Sequence, residues 1–271
     1  MPDGGIYYGD PVNRAHPLNR GLVSWWLPLP WYSSGPRLID IAGKNHGTLT
    51  NGPTWMPGPN GFGAVATSGG GYVPVGDITA ISGVPAITIV VDALWRSSVG
   101  TGANPALFSK SQPGADCDLL FWSGTQVFAR IGNSDNEYGI GGAIKFDARQ
   151  QTAVVFDGGG TGNAERLKLY QDGVPQTLSY TGTILATTGN NSLAANIGRY
   201  TFNGATTNAT FYSVRLHNRG LSASEVAALY DQARRGYPDT LRYLSTKTYL
   251  LGTGAAGGGG LLLKRRRLLA C

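Results

Sequence analysis

Apolar residues fall in short runs along the chain, and turn formers punctuate nearly every gap. The first strong run, residues 21–29 (GLVSWWLPL), predicts a strand stopped by Pro28 and Pro30. Further strands are predicted at 64–66, 72–75, 87–95, 106–109, 118–122, 126–131 and 151–156, then at 165–171, 173–179, 192–198 and 207–216. Many short strands at this rhythm predict an all-β fold, a two-sheet antiparallel sandwich or jelly roll. One connection is specific. Asp172-Gly173 follows Leu167-Lys168-Leu169-Tyr170, and Asp-Gly accepts the positive φ of a type I′ hairpin turn. Leu167 and Leu169 then share one face, with Lys168 on the other.

The period changes once, near the C-terminal end. Residues 221–230 read LSASEVAALY. Ser222 and Glu225 make a capping box, and Val226, Leu229, Tyr230 and Ala233 recur at i, i+3, i+4 and i+7. Gly236 and Pro238 end this helix, which is expected to cover one end of the sandwich. The domain reading follows. Residues 1–20, with Gly4, Gly5, Pro11 and Pro17 and no sustained period, are an extended arm. Residues 21–236 are the jelly roll. Residues 237–271 are an extension with a glycine-rich linker and a basic tail.

Composition narrows the classes. Gly fills 41 of 271 positions without a Gly-x-y period, which excludes collagen, and six Trp, 13 Tyr and eight Phe exclude a wholly disordered chain. Four of the six net positive charges sit in Lys264, Arg265, Arg266 and Arg267. The body therefore has no large basic face by count, and nucleic-acid contact is expected only through the tail, if at all. Leucines flank that tail, and its first reading is an amphipathic segment docking on protein. No stretch approaches the ~18 apolar residues of a membrane span. The start, MPDGGIYY, lacks a basic and an apolar region, so no signal peptide is expected. Cys117 and Cys271 fit neither a stapling disulfide nor a zinc site.

The order of motifs at 21–26, 40–49, 72–73, 87–95, 167–173, 197–199 and 214–222 resembles the laminin-G-like family of concanavalin A-like lectin/glucanase jelly rolls, in its bacterial and phage branch. Residues 21–26 (GLVSWW) resemble the opening strand, and 40–49 (DIAGKNHGTL) its D-x-x-G-x-N-x-G-T turn. Tyr72-Val73 and 87–95 (ITIVVDALW) resemble the Y-V and T-I-x-x-W strands, and 167–173 (LKLYQDG) the L-Y-x-D-G hairpin. Residues 197–199 and 214–222 (VRLHNRGLS) resemble the closing strands and helix entry. The resemblance implies two antiparallel sheets face to face. Its members include glycan binders, calcium-dependent adhesion modules, glycosidases and virion proteins.

The residues weigh against catalysis. Glycoside hydrolysis needs two carboxyl groups set about 5 Å apart or somewhat more. The three glutamates are Glu137, Glu165 and Glu225, and Glu225 is taken by the capping box. Asp116 and Asp118, and Asp135 and Glu137, have strand spacing but read as solvated loop carboxylates. His16, His46 and His217 read as structural, and residues 157–162 (DGGGTG), lacking a phosphate-binding lysine, as a flexible strand connection. No enzyme and no cofactor are therefore expected. One Ca2+ is the alternative, with Asp116, Asp118 and Asp135 as its ligands. The family's acidic residue before V-R-I is replaced here by Phe211-Tyr212-Ser213-Val214, which weakens a family-type calcium site. Sugars stack on aromatic rings, and Trp31, Tyr32, Trp55, Trp122, Tyr138 and Tyr200 are the candidate glycan contacts, whereas Trp25, Trp26 and Trp95 are assigned to the core.

The expectation is a structural or adhesion module on a phage virion surface, a capsid decoration or fibre-associated protein. Tyr7, Tyr8, Tyr249, Lys264, Arg265, Arg266 and Arg267 would anchor it to other virion chains or to copies of itself, and the jelly roll would face host glycans. The alternatives are a free extracellular lectin and a glycoside hydrolase.

Overall fold

The computed structural model describes residues 10–29, 35–102, 105–111, 116–121, 125–132, 137–201 and 203–242. The chain begins with β1 (Leu22–Trp26), β2 (Arg37–Leu38), β3 (Gly47–Thr48), β4 (Thr54–Pro57), β5 (Gly63–Thr67) and β6 (Val73–Gly76). It continues through β7 (Ala86–Thr101), β8 (Ala106–Ser109), β9 (Asp116–Phe121), β10 (Gln126–Gly132), β11 (Tyr138–Ala143) and β12 (Arg149–Asp157). A short α1 (Asn163–Arg166) precedes β13 (Leu167–Gln171), β14 (Val174–Gln176), β15 (Leu178–Thr181), β16 (Ala195–Ile197) and β17 (Thr206–His217), and α2 (Ala223–Arg235) follows. Two antiparallel sheets form. The first has eight strands in the order β14-β13-β12-β7-β17-β5-β4, with β1 also paired to β17. The second has seven, in the order β15-β11-β10-β9-β8-β16-β6. The expected jelly-roll sandwich is what the chain builds.

Strand alternation fills the space between the sheets. Trp26, Trp95, Phe108, Phe156 and Phe211 meet there with Ile87, Ile89 and Val91. The hairpin at Asp172-Gly173 forms as expected, with φ of 50° and 79°, and buries Leu167 and Leu169 while Lys168 is exposed. The run predicted as one strand over 173–179 divides instead. Its first part, β14, extends the eight-stranded sheet, and its second, β15, joins the seven-stranded one.

A third layer covers the outer side of the eight-stranded sheet. The capping box at Ser222 and Glu225 starts α2, and Gly236, at φ 80°, ends it. Val226 and Leu229 pack on Val90, Ala153, Val155 and Tyr170, which all point out of that sheet. The helix therefore lies on a sheet face and does not cap an end, because those outward positions are apolar and need cover. This explains why 87–91 is apolar at nearly every position: β7 is buried on both sides. Trp25, opposite Arg215 on β17, also faces this layer. Arg215 lies between the rings of Trp25 (3.6 Å) and Tyr237 (4.9 Å), and Asp92 pairs with Arg149 beside them. Burial pushes the Tyr237 phenol up to about 12.

Both ends of the described chain join this layer. Val12 bridges Leu241, the Asn13 N–H donates to Thr240 O (3.0 Å), and the Arg242 N–H donates to Pro11 O (2.8 Å). Residues 10–20 thus lie against the body, with Val12 and Leu18 buried.

Two turns are held by single carboxylates. The buried Asp40 side chain accepts N–H groups from Trp25 (2.8 Å), Ala42 (3.0 Å), Gly43 (2.9 Å) and Asn45 (3.1 Å). A Cβ on Gly43 would lie 2.5 Å from Val23 O, so only glycine fits. The connection at 157–162, expected to be flexible, is held as well. Glu165 accepts from Thr161 N (2.7 Å) and Oγ1 (2.8 Å), and Arg166 donates to Gly160 O (2.7 Å) and Ile184 O (2.6 Å).

Candidate functional site

The outer face of the seven-stranded sheet lies on the opposite side of the sandwich from α2 and the two described chain ends. Alternation along β10 builds it. Val127, Ala129 and Ile131 enter the core, so Phe128 and Arg130 point outward. On β11, Tyr138 and Ile140 share that face. Gly139 takes the inner position, where a Cβ would come within 3.0 Å of Leu178 Cδ1.

Register then assembles a row that is local nowhere in the chain. Thr181 on β15 pairs with Tyr138, Tyr138 with Arg130, and Arg130 with Asp118 on β9. Asp118 pairs with Ser109 on β8, and Ser109 with Asn196 on β16. The register thus aligns six polar residues, one on each of six adjacent strands. Five strand spacings make the row about 24 Å long. Beside it runs an apolar row, in which Ile140 pairs with Phe128, Phe128 with Leu120, and Leu120 with Ala106.

Aromatic packing stiffens this face. The rings of Phe128 and Tyr138 are 4.4 Å apart at 37°. Arg130 Nη2 donates to Tyr200 Oη, and the guanidinium carbon stands 5.5 Å from the Tyr200 ring centre. Tyr200 is fixed by its hairpin loop, where its N–H donates to Ala205 O (2.7 Å) and its carbonyl accepts from Gly204 (3.0 Å). Further along, Thr201 Oγ1 accepts from Ser109 Oγ (3.0 Å) and Asn196 Nδ2 (3.1 Å). Lys110, 1% exposed, anchors the end of β8 through Asp77 (2.9 Å) and the Asn191 carbonyl (2.6 Å).

The structure brings two of the sequence candidates together. Tyr138 and Tyr200 belong to one cluster, with Tyr138 half-buried and Tyr200 only 4% exposed, a packed support more than an open platform. Trp55 sits elsewhere. It is on edge strand β4, packs against the inter-sheet core, and its Nε1–H donates to Gly35 O (2.7 Å). Asp116 and Asp118 lie on β9, so they are strand residues and not the loop carboxylates expected. Trp31, Tyr32, Trp122, Asp135, Tyr7, Tyr8, Tyr249, Lys264, Arg265, Arg266 and Arg267 lie outside the described residues. Among the described residues, no three His, Cys, Asp or Glu side chains converge as a metal site, and no helix is long and apolar enough to cross a membrane. Sequence reasoning missed Phe128, Arg130, Ser109, Asn196 and Thr201. For Phe128 and Arg130 the signal was present, since they alternate with Val127, Ala129 and Ile131 in QVFARIG.

A family model for the concanavalin A-like lectin/glucanases superfamily matches residues 67–227. The chain belongs to that superfamily. Comparison with the curated proteins finds no match. Among solved structures, a Trypanosoma rangeli sialidase in complex with sialic acid is 18% identical with a TM-score of 0.56, over 79% of this chain and 33% of the sialidase. The chain thus spans about a third of the sialidases it matches. Domain 4 of a GH43 extracellular arabinanase from Geobacillus stearothermophilus, in complex with arabinotriose, is 17% identical with a TM-score of 0.53, over 77% of this chain and 98% of that domain. The binding domain of botulinum neurotoxin DC, in complex with rat synaptotagmin II, is 11% identical with a TM-score of 0.58, over 80% of this chain and 52% of that one. At these identities the likeness is one of fold. It corrects the expectation that the chain is not an enzyme. Sialidases and an arabinanase domain carry this fold, so a scarcity of glutamates does not separate this lectin/glucanase-like chain from glycosidase-related function.

Proposed function

We propose that this chain is a carbohydrate-recognition module that holds a chain of linked sugars along the outer face of its seven-stranded sheet. The observation that carries the reading is the cross-strand register, which sets a polar row beside an apolar one. A sugar ring has hydroxyl edges and apolar C–H faces. Thr181, Tyr138 and Ile140 are the accessible residues of the two rows and offer hydrogen bonds to the first and packing to the second, while Arg130, Ser109, Asn196 and Phe128 are buried and support them. The half-buried Tyr138 is positioned to stack.

The finer reading places the module on a virion surface, tethered by its ends and facing host glycans. The pairing of Val12 with Leu241 supports a tether, because both described ends meet on the side away from the polar row. The test is a titration of neutral and acidic oligosaccharides, arabinotriose and sialyllactose among them, onto protein immobilised through its C-terminus. Saturable binding is expected, and Tyr138→Ala should weaken it about tenfold, or about 1.4 kcal/mol, with an unchanged melting temperature. Unsaturable binding across the panel, or wild-type affinity in Tyr138→Ala, would reject the reading.

A further inference from the structure

We propose that Arg199, stacked on Tyr72 at the far end of the polar row, is a subsite for the carboxylate of an acidic sugar. The inference rests on the carbohydrate reading above and names the ligand class of that same face. Asn196 in the row pairs with Pro74 on β6, and Tyr72 lies two residues before Pro74 on the same extended segment. The guanidinium carbon of Arg199 stands 4.4 Å from the Tyr72 ring centre.

The other arginines stacked on rings are also tied to an acceptor. Arg130 is bound to Tyr200 Oη, Arg149 to Asp92, Arg215 to Thr240 and Arg234 to Asp172. Arg199 has a ring and, among the described residues, no hydrogen bond or ion pair. Its Nε is enclosed without an acceptor. The side chain as a whole is half-buried, and of its nitrogens only Nε is enclosed without a partner. Gly204 keeps that space clear. Its φ is 77°, and a Cβ there would lie 3.2 Å from Arg199 Nη2.

A planar guanidinium, charged, held against a ring and without an acceptor among the described residues, matches a carboxylate through two parallel N–H···O bonds. Asp77, further along the segment that carries Tyr72, is paired with the buried Lys110. An acidic sugar is favoured over an acidic peptide because the accessible residues of the row, Tyr138 and Thr181, are uncharged and suited to hydroxyl groups.

Two probes and their methyl esters test this: trigalacturonate and sialyllactose, each against its neutral ester, at low salt. Wild type should bind the acid of at least one pair about tenfold more tightly than its ester. Arg199→Gln should bring that acid down to the affinity of the ester and leave the ester unchanged. Arg199→Lys, which keeps the charge on a flexible stem, should recover only part of the preference and guards against a folding defect. Equal binding of acid and ester in both pairs, or an equal loss of both in Arg199→Gln, overturns the subsite while the carbohydrate reading stands. Loss of all sugar binding in wild type sinks the carbohydrate reading itself. Displacement by polyglutamate as effective as by the acidic sugar overturns the sugar assignment in favour of an acidic peptide.

Discussion

Asp40→Ala is expected to destabilise the protein by about 4 kcal/mol, a large share of the 5–15 kcal/mol that holds a domain folded. One carboxylate accepts four backbone N–H groups, and three of them belong to the turn at Ala42, Gly43 and Asn45. The fourth, from Trp25, ties that turn to β1. Truncation leaves these donors without an acceptor in a partly buried place, and each such loss costs about 1–3 kcal/mol. Asp40→Asn should cost about half as much. Its carbonyl can keep the Oδ1 contacts, while its amide meets the Asn45 N–H donor to donor. Urea unfolding of the two variants reads both values. A cost below about 1 kcal/mol for Asp40→Ala would mean that the turn is organised by something else.

The second large effect is a loss of stability in acid, centred on His217. The ring is fully buried on β17, its Nε2 has no partner, and Nδ1 lies 3.4 Å from Arg20 O. Burial, reinforced by the neighbouring Arg215 charge, lowers its pKa from 6.5 to about 3. The imidazole is therefore neutral in the fold, while in the unfolded chain it takes a proton below about 6.5. Its contribution is complete above 6.5 and falls by about 1.4 kcal/mol per pH unit toward 3. Between pH 8 and pH 5 the loss is about 2 kcal/mol, before most carboxylates titrate. His46, also lowered by burial, adds in the same direction. Below about 4.5 the capping carboxylate Glu225, held down to about 2 by Arg219, adds a smaller loss because it is partly exposed. Chemical unfolding at pH 8 and pH 5 should show the drop in wild type and most of it gone in His217→Gln. An equal drop in both proteins would remove His217 as the cause.

What could be read from the sequence was local. The Asp172-Gly173 hairpin and the Ser222–Glu225 box each lie within a few residues, and backbone chemistry decides them. The tryptophans of the core were legible for a similar reason, since Trp25, Trp26 and Trp95 sit in apolar runs with no polar alternative. The location of α2 was not local. It depends on Val90, Ala153, Val155 and Tyr170 pointing away from the inter-sheet core, which only the strand order reveals. The split of 173–179 between two sheets has the same origin.

The candidate site was the least legible part. Its row draws Tyr138, Arg130, Asp118, Ser109 and Asn196 from five strands, and no two of them are neighbours in sequence. Aromatic residues near loops were a poor guide by comparison. Tyr200 sits in a loop yet packs under Arg130, and Trp55 packs from an edge strand against the inter-sheet core. Alternation in QVFARIG identifies outward positions, and only pairing aligns them with the other strands.

The central claim is that ligand lies on the outer face of the seven-stranded sheet, away from the tethered side. Backbone amide chemical-shift mapping, with the most tightly bound oligosaccharide of the panel at saturation, tests it most directly. Shifts confined to β8 through β11 and β16, including Ser109, Arg130, Tyr138 and Asn196, are the predicted result. Shifts gathered instead on α2, on β1 or at the paired segments 10–13 and 240–242 would contradict it.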